Sequence, residues 1–282
     1  MNKVQSILLS SGKHVPITKL CDWLGLARSS AYYQQRQALP RPLDEAVVAR
    51  IKQIHQNEPA CGVRGTWSRL RFEHKIHINR KKVHRIMKQK GWTLPKRRSG
   101  HRPRVKGASS ITTAPNQRWA TDLALINCGK DGWCVFVPVI DCCTREILGH
   151  ALELTGRAKT AERALEEALL ARFGTLRSAP KDMLLRHDNG LVFGSRQYRA
   201  VVNDYQLKQE YITPYTPQQN GLCERFIKTF KEEFAWCNRF QSIQHARLKL
   251  RAWIDRYNQH RPHQSLKYLS PQQYYQQLCN AA

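Results

Sequence analysis

The stretch NQRWATDLALINCGKDGWCVFVPVIDCCTREILGHALEL, residues 116–154, decides the fold. It reads as three successive strands, 116–126, 132–143 and 145–154, because short apolar runs rich in Val, Ile, Trp and Phe follow one another. Beyond it, TAERALEEALLARFG (160–174) has helical periodicity and stops at Gly174. KDMLLRHDNG (181–190) is a buried strand running into a turn, SRQYRAVVNDYQL (195–207) a helix and KQEYITP (208–214) a short strand. A helix opening at Asn220-Gly221 and a long one over about 243–259 complete the order. Three strands, then helix, strand, helix, strand, helix predict an α/β fold with a mixed sheet.

Upstream of this block the composition changes. Residues 1–110 hold 24 Lys and Arg against 5 Asp and Glu, a net of +19, whereas the remaining 172 hold 23 against 16, a net of +7. The whole chain of 282 residues carries +26, and such self-repulsion implies a polyanionic partner. A membrane surface is the competing partner, but the longest apolar run, WCVFVPVI at 133–140, is too short to span a bilayer. No signal-peptide pattern opens the chain, so the expected address is cytoplasmic. The 41% hydrophobic content and seven Trp indicate a folded chain, and its length suggests about two domains.

Nine cysteines are present, none as C-x-x-C, and Cys142-Cys143 are adjacent. His74 and His77 form H-x-x-H with no cysteine pair at ligand spacing. Reduced, mostly buried thiols are therefore expected rather than structural zinc.

In PITKLCDWLGLARSSAYYQQ (16–35), Ile17, Leu20, Cys21 and Leu24 form an apolar stripe, Gly25 stops the helix and Arg28-Ser29-Ser30 opens another. This is a helix-turn-helix pattern. LDEAVVARIKQIH (43–55) is a further amphipathic helix, and GVRGTWSRLRF (62–72) with NRKKVHRIMKQKG (79–91) makes a second helical pair. On the last of these Val83, Ile86 and Met87 point inward, while Arg80, Lys81, Lys82, Arg85, Lys88 and Lys90 cover the rest without an acid. Solvated faces mix both signs, so this one is expected to meet DNA. Residues 93–115 hold three prolines and six cations, Arg97 and Arg98 among them, and read as an extended basic linker. The expected organisation is a helical basic DNA-binding region over 1–92, the linker over 93–115 and a catalytic core with a helical tail over 116–282.

Three carboxylates stand out in the core. Asp122 lies inside the apolar first strand, Asp188 just beyond Met183-Leu184-Leu185, and Glu224 on the helix of QQNGLCERFIKTFKEE (218–233). If the first strand lies beside the fourth, the two aspartates become neighbours, and each then raises the other's pKa. Divalent cations remove that penalty, and oxygen ligands suit Mg²⁺ or Mn²⁺. At about 100° per residue, Cys223, Ile227, Phe230 and Phe234 stack into one apolar stripe. Glu224, Lys228 and Lys231 form a second, which reaches the sheet's edge where DNA could lie. The plain alternative for the two lysines is a solvated pair. Asp141, a fourth acid at a strand end, is the rival for a catalytic place. No nucleotide-binding P-loop, G-x-S-x-G or H-E-x-x-H occurs, which argues against an ATP-driven helicase, a serine hydrolase and a zinc protease.

NQRWATD (116–122), HDNG (187–190), YTPQQNGLCERFIKTFK (215–231) and YNQHRPHQSL (257–266), with Pro271 and Tyr274, follow one another in the order seen in a known family. Together they resemble the DDE transposases of bacterial insertion sequences, of the second-reading-frame (OrfB) type with a retroviral-integrase-like core. Ala124-Leu125, CGVRGTW (61–67) and DCCTRE (141–146) depart from the family's usual residues. The resemblance implies an RNase H-like mixed sheet with flanking helices, in which Asp122, Asp188 and Glu224 are catalytic and hold two Mg²⁺ or Mn²⁺ ions. For Asp141 it implies a structural role, paired with a neighbour such as Arg145. It further implies cleavage at insertion-sequence ends and transfer of the freed 3′-hydroxyl to double-stranded target DNA. A homo-multimer on paired terminal inverted repeats follows, as does fusion or partnership with a first-frame protein in a bacterial, nucleoid-associated setting. The alternative is a DNA-binding regulator or degenerate transposase that occupies ends without cutting.

Overall fold

A computed structural model describes residues 2–31, 33, 42–95, 112–213 and 217–280. The chain divides into two compact units, Met1–Asp44 and Glu45–Ala282. In the first, α1 (Asn2–Ser10) is followed by α2 (Ile17–Trp23) and the four-residue α3 (Arg28–Ala31). Leu20 and Cys21 are the buried residues of α2, and Gly25 at φ 62 turns the chain toward α3, as the expected pattern requires.

The second unit begins with α4 (Glu45–Asn57), α5 (Val63–Ser68) and α6 (Arg80–Gln89), α5 running directly into a π turn over Arg69–Glu73. Ile51, Leu70, Val83, Ile86 and Met87 are fully buried and form the core of this helical group. Asn79 caps α6 by accepting from the Lys81 N–H at 2.8 Å, and Gly91 at φ 71 closes it. Unit 2 therefore takes in residues 45–92 together with the sheet, and the division between units falls at Asp44/Glu45. Of the segment 93–115, residues 96–111 lie outside the described residues, Arg97 and Arg98 with them.

The sheet consists of β1 (Arg118–Thr121), β2 (Ala124–Asn127), β3 (Trp133–Asp141), β4 (Ile147–Glu153), β5 (Leu184–His187) and β6 (Lys208–Tyr211). Both β1 and β2 pair with one edge of β3, through Thr121↔Val139 and Ala124↔Phe136, so they are two parts of a single line broken at Asp122-Leu123. The sequence predicts one unbroken strand there; the break comes where the Leu123 N–H turns to the Asp122 carboxylate instead of the ladder. β4 takes the other edge of β3, while β5 runs parallel to β1 and β6 parallel to β5. The mixed sheet and the neighbouring first and fourth strands match the expected order.

Helices α7 (Ala158–Phe173) and α8 (Arg196–Asp204) cover one face, packing on Trp119, Val137, Val139 and Leu185. The approach of α7 is close at Gly149, where an added Cβ would meet the Ala164 carbonyl oxygen at 2.3 Å and the Ala168 nitrogen at 2.5 Å. On the other face, α9 (Gly221–Phe230) and α10 (Ile243–His260) bury Phe226, Phe230 and Trp253 against Ala120, Phe136 and Ile140. A π turn over Lys231–Ala235 continues α9, and α11 (Pro271–Cys279) follows a Ser270/Gln273 capping box. Six of the nine free cysteines are buried, in line with the expected thiols. No helix among the described residues is long and apolar enough to cross a membrane.

Candidate active site

Asp122 stands at the break after β1, and its Oδ1 accepts the Leu123 N–H at 2.7 Å. Asp188 follows β5, the parallel neighbour of β1, and its Oδ1 accepts the Gly190 N–H at 3.0 Å. A Cβ at position 190 would lie 2.8 Å from that oxygen, so the glycine leaves the carboxylate room to accept this bond. Parallel neighbours thus deliver both aspartates to the same end of the sheet, where α/β sheets expose chemistry.

Below the second aspartate, His187 is fully buried. Its Nδ1 lies 2.7 Å from the Asp188 carbonyl oxygen, which only accepts, so Nδ1 carries the proton. Nε2 is then free to accept from Gln209 Nε2 at 3.1 Å. The ring stacks on Phe193 at 4.8 Å and meets the edge of Tyr211 at 4.5 Å. Burial lowers the His187 pKa, against the opposing pull of Asp188, and favours the neutral ring.

Glu224 lies exposed in the first turn of α9, whose buried Cys223, Phe226 and Phe230 dock the helix on the sheet. The Asp122 carboxyl is pushed up to about 6, first by burial and then by the charges of Asp188 and Glu224, while the Leu123 N–H and Lys231 pull it down. The three acids predicted from sequence therefore share one electrostatic neighbourhood, with Lys231 beside them. They do not close into a metal cage: among the described residues, no three His, Cys, Asp or Glu side chains are grouped tightly enough to hold an ion. The donor chemistry nevertheless fits a hard divalent cation. All three offer oxygen, each aspartate engages only one carboxylate oxygen in the backbone bonds above, and a cation would relieve the repulsion that raises Asp122.

Lys228 is exposed on the same stripe as Glu224. On α6, Arg80, Lys81 and Lys88 are exposed and Lys82 and Arg85 half-buried, away from the inward Val83, Ile86 and Met87. Asp141 is fully buried, but the expected partner Arg145 is not the one it takes. Its carboxylate accepts the backbone N–H groups of Asn116 (2.7 Å), Cys143 (2.7 Å) and Thr144 (2.9 Å). The tight turn after β3 presents two of those donors and Asn116, ahead of β1, the third, whereas Arg145 adopts φ 64 and lines a cavity.

Sequence reasoning missed the cluster that seats the start of α9. Glu210 on β6 accepts from Arg118 Nε at 2.6 Å and from Arg186 Nε and Nη2 at 2.9 Å each, and Arg186 Nη1 reaches the Gln219 carbonyl at 2.6 Å. The register that aligns Ala120, Arg186 and Glu210 across three strands creates this contact. No local pattern in the sequence signals it.

An integrase core domain model matches residues 112–217, and a second integrase core domain model matches 205–271. An HTH-like domain model matches 42–100, the stretch of α4 to α6, and not the earlier pattern at 16–35. The chain is similar to the transposase InsD for insertion element IS2A/D/F/H/I/K of Escherichia coli, at 29% identity over 95% of this chain and 87% of the relative. InsD for insertion element IS2D of Escherichia coli (strain K12) matches to the same extent. Among solved structures, a chain of the simian T-cell lymphotropic virus intasome in complex with a PP2A regulatory subunit shares the fold, with TM-score 0.50 and 15% identity over 80% of this chain and 74% of that one. Two overlapping integrase-core matches follow an HTH-like match, and the relatives that align over 95% of this chain are insertion-element transposases: the chain carries an integrase core behind an HTH-like region and is similar throughout to the transposases of bacterial insertion sequences.

Proposed function

We propose that Asp122, Asp188 and Glu224 are the catalytic carboxylates of DNA strand cleavage at the element's ends and of 3′-hydroxyl transfer to double-stranded target DNA. The observation that carries this reading is the parallel pair β1 and β5, which brings Asp122 and Asp188 to one end of the sheet, with the charges of Asp188 and Glu224 both acting on the buried Asp122 carboxyl. The three side chains would hold two Mg²⁺ or Mn²⁺ ions, which when bound supply an activated water or 3′-hydroxyl and charge stabilisation at the departing oxygen. The backbone bonds to Leu123 and Gly190 orient the two aspartates, and His187 holds the Asp188 main chain from below. Lys228 and Lys231 meet phosphate along the stripe that Glu224 opens. Arg80, Lys81, Lys82, Arg85 and Lys88, with Arg97 and Arg98 of the linker, grip DNA through its backbone.

In this reading residues 1–92 bind DNA, 93–115 tether and 116–282 cut. Residues 45–92 are built into the same compact unit as the core. Joining two terminal inverted repeats calls for a homo-multimer, and the working form in the bacterial cytoplasm, at the nucleoid, includes a first-frame partner or fusion. The test is a cleavage and strand-transfer assay on the element's own ends with the full fused protein. Mg²⁺-dependent cutting is expected, with Asp188→Asn and Glu224→Gln abolishing it while DNA binding survives. Full activity in either variant sinks the assignment. A footprint on the terminal repeat without cutting under any divalent metal would identify a regulator instead.

A further inference from the structure

Helix α9 has a third face. At about 100° per residue, Leu222, Arg225 and Thr229 lie on a side roughly 110° from Glu224 and Lys228. These three, with Glu233 of the π turn that follows, line a cavity of about 1550 Å³ whose opposite wall includes Asn57 to Gly65 and Ser68-Arg69 of the helical group. Pockets for small ligands reach about 300–1,000 Å³, so this space suits a longer occupant.

Its lining is strongly cationic, with eight Lys or Arg side chains against two carboxylates, Glu58 and Glu233. Both carboxylates are already engaged, Glu58 by Arg69 at 2.5 Å and Glu233 by Arg261 at 2.7 Å. Arg64, Arg145, Arg225 and Lys249 have no carboxylate partner among the described residues. Several like charges around one concave space favour an anionic occupant.

The cavity also gathers polar atoms without partners. Asn220 is only 3% exposed, yet neither its Oδ1 nor its Nδ2 is hydrogen-bonded among the described residues. The same holds for Arg145 Nε, Arg69 Nε and Ser68 Oγ, which belong to residues lining the same space. Buried polar groups in native structures are normally satisfied, so such a cluster marks a place where a ligand completes the bonding. Phosphodiester oxygens only accept, which suits the arginines. The open donor and acceptor of Asn220 instead match a nucleobase edge, which offers both. Tyr274 also lines the cavity and supplies a ring on which an unpaired base stacks, whereas Tyr268 on the same wall is already stacked on Phe72.

We propose that this cavity is a second nucleic-acid site, which takes a single DNA strand on the flank of α9 turned away from Glu224. The site goes beyond the carboxylate reading and does not depend on it, because binding here needs no metal.

The test is fluorescence anisotropy of the full chain with a short labelled single strand of mixed sequence, in EDTA. The Arg64→Gln, Arg145→Gln, Lys249→Gln triple variant is expected to bind about tenfold more weakly, with the slope of log affinity against log salt reduced by ~2. A well-folded variant with unchanged affinity and slope overturns the proposal. A fully paired duplex that loses as much affinity in the same variant overturns the single-strand assignment. In the parent chain, a strand carrying 5-iodouracil is expected to photo-crosslink to peptides from 57–69 or 261–274. Crosslinks confined to α6 and to the Glu224 stripe also overturn it. Neither readout requires strand cleavage, so failure of the catalytic reading leaves this result interpretable.

Discussion

Arg261 grips Glu233 in a two-bonded fork, Nε to Oε2 at 2.9 Å and Nη2 to Oε1 at 2.7 Å. The arginine belongs to the terminal motif YNQHRPHQSL, and the glutamate to the π turn that continues the helix of Glu224. Arg261 also lies over the Tyr257 ring at 5.5 Å and beside His263 Nε2 at 3.3 Å. The tail therefore anchors the far end of α9, while Arg186 anchors its start through the Gln219 carbonyl. Breaking one partner of a buried pair costs about 3–5 kcal/mol, and partial exposure here reduces that to roughly 2 for Glu233→Gln. Urea unfolding should show this loss, and the Glu233→Met, Arg261→Met double variant should recover much of it. A double variant as unstable as Glu233→Gln would mean the fork does not act as a pair.

Asp122 should make stability depend on pH in a direction opposite to that of an ordinary salt-bridged acid. Its folded pKa, about 6, lies above the 3.8 of a free aspartate. The folded state therefore favours the protonated form: stability is full below about pH 4 and falls as pH rises through 6. Two units correspond to ~3 kcal/mol at most. In EDTA, Asp122→Asn is expected to raise the melting temperature at pH 7 and to leave it unchanged near pH 4. Equal effects at the two pH values would show that ionisation of Asp122 is not strained by its surroundings.

His187 combines two separable roles, filling space and holding the Asp188 carbonyl. His187→Ala removes a ring stacked on Phe193 and in edge contact with Tyr211, and should cost ~3 kcal/mol or more. His187→Phe keeps the stack and loses the Nδ1–H donor, so only about 1 kcal/mol of stability should go. Strand cleavage should nonetheless fall about tenfold or more in the phenylalanine variant, the size usual for a lost orienting partner. Parent-level turnover by His187→Phe would show that the bond to Asp188 has no part in positioning it.

Gly149 sets how closely α7 lies on β4. Gly149→Ala would place a methyl group against the Ala164 and Ala168 backbone, which no side-chain rotation relieves. A loss of about 1–3 kcal/mol is expected by denaturant titration. An unchanged midpoint would mean that the helix lifts without cost.

Much of this was legible in the residues themselves. The three-strand block at 116–154, the helix at Ala158–Phe173 with its Gly174 stop and the docking stripe of Cys223, Phe230 and Phe234 all follow from periodicity. The two aspartates stood out because charged residues in or beside apolar strand segments need a reason to be there, and Glu224 because it sits beside the docking stripe of its helix. Local pattern could not show that the first strand breaks at Asp122. The apolar run continues through it, and only the choice of the Leu123 N–H between ladder and carboxylate decides the break.

Asp141 shows the same limit. The resemblance implied an ion pair with a neighbour such as Arg145, whereas three backbone donors take the carboxylate, two from the turn and one from Asn116 ahead of β1. The Glu210 cluster, the Arg261–Glu233 fork and the cationic cavity each join residues distant in the chain. By itself, the sequence determined the order of elements and the family resemblance, and it singled out the three carboxylates proposed as catalytic, because hydrophobic period and turn chemistry are local. Tertiary structure alone decided which charges meet and which buried polar atoms lack a partner. Register and helix docking set those distances, and electrostatic and hydrogen-bond energies depend on them far more steeply than on position along the chain.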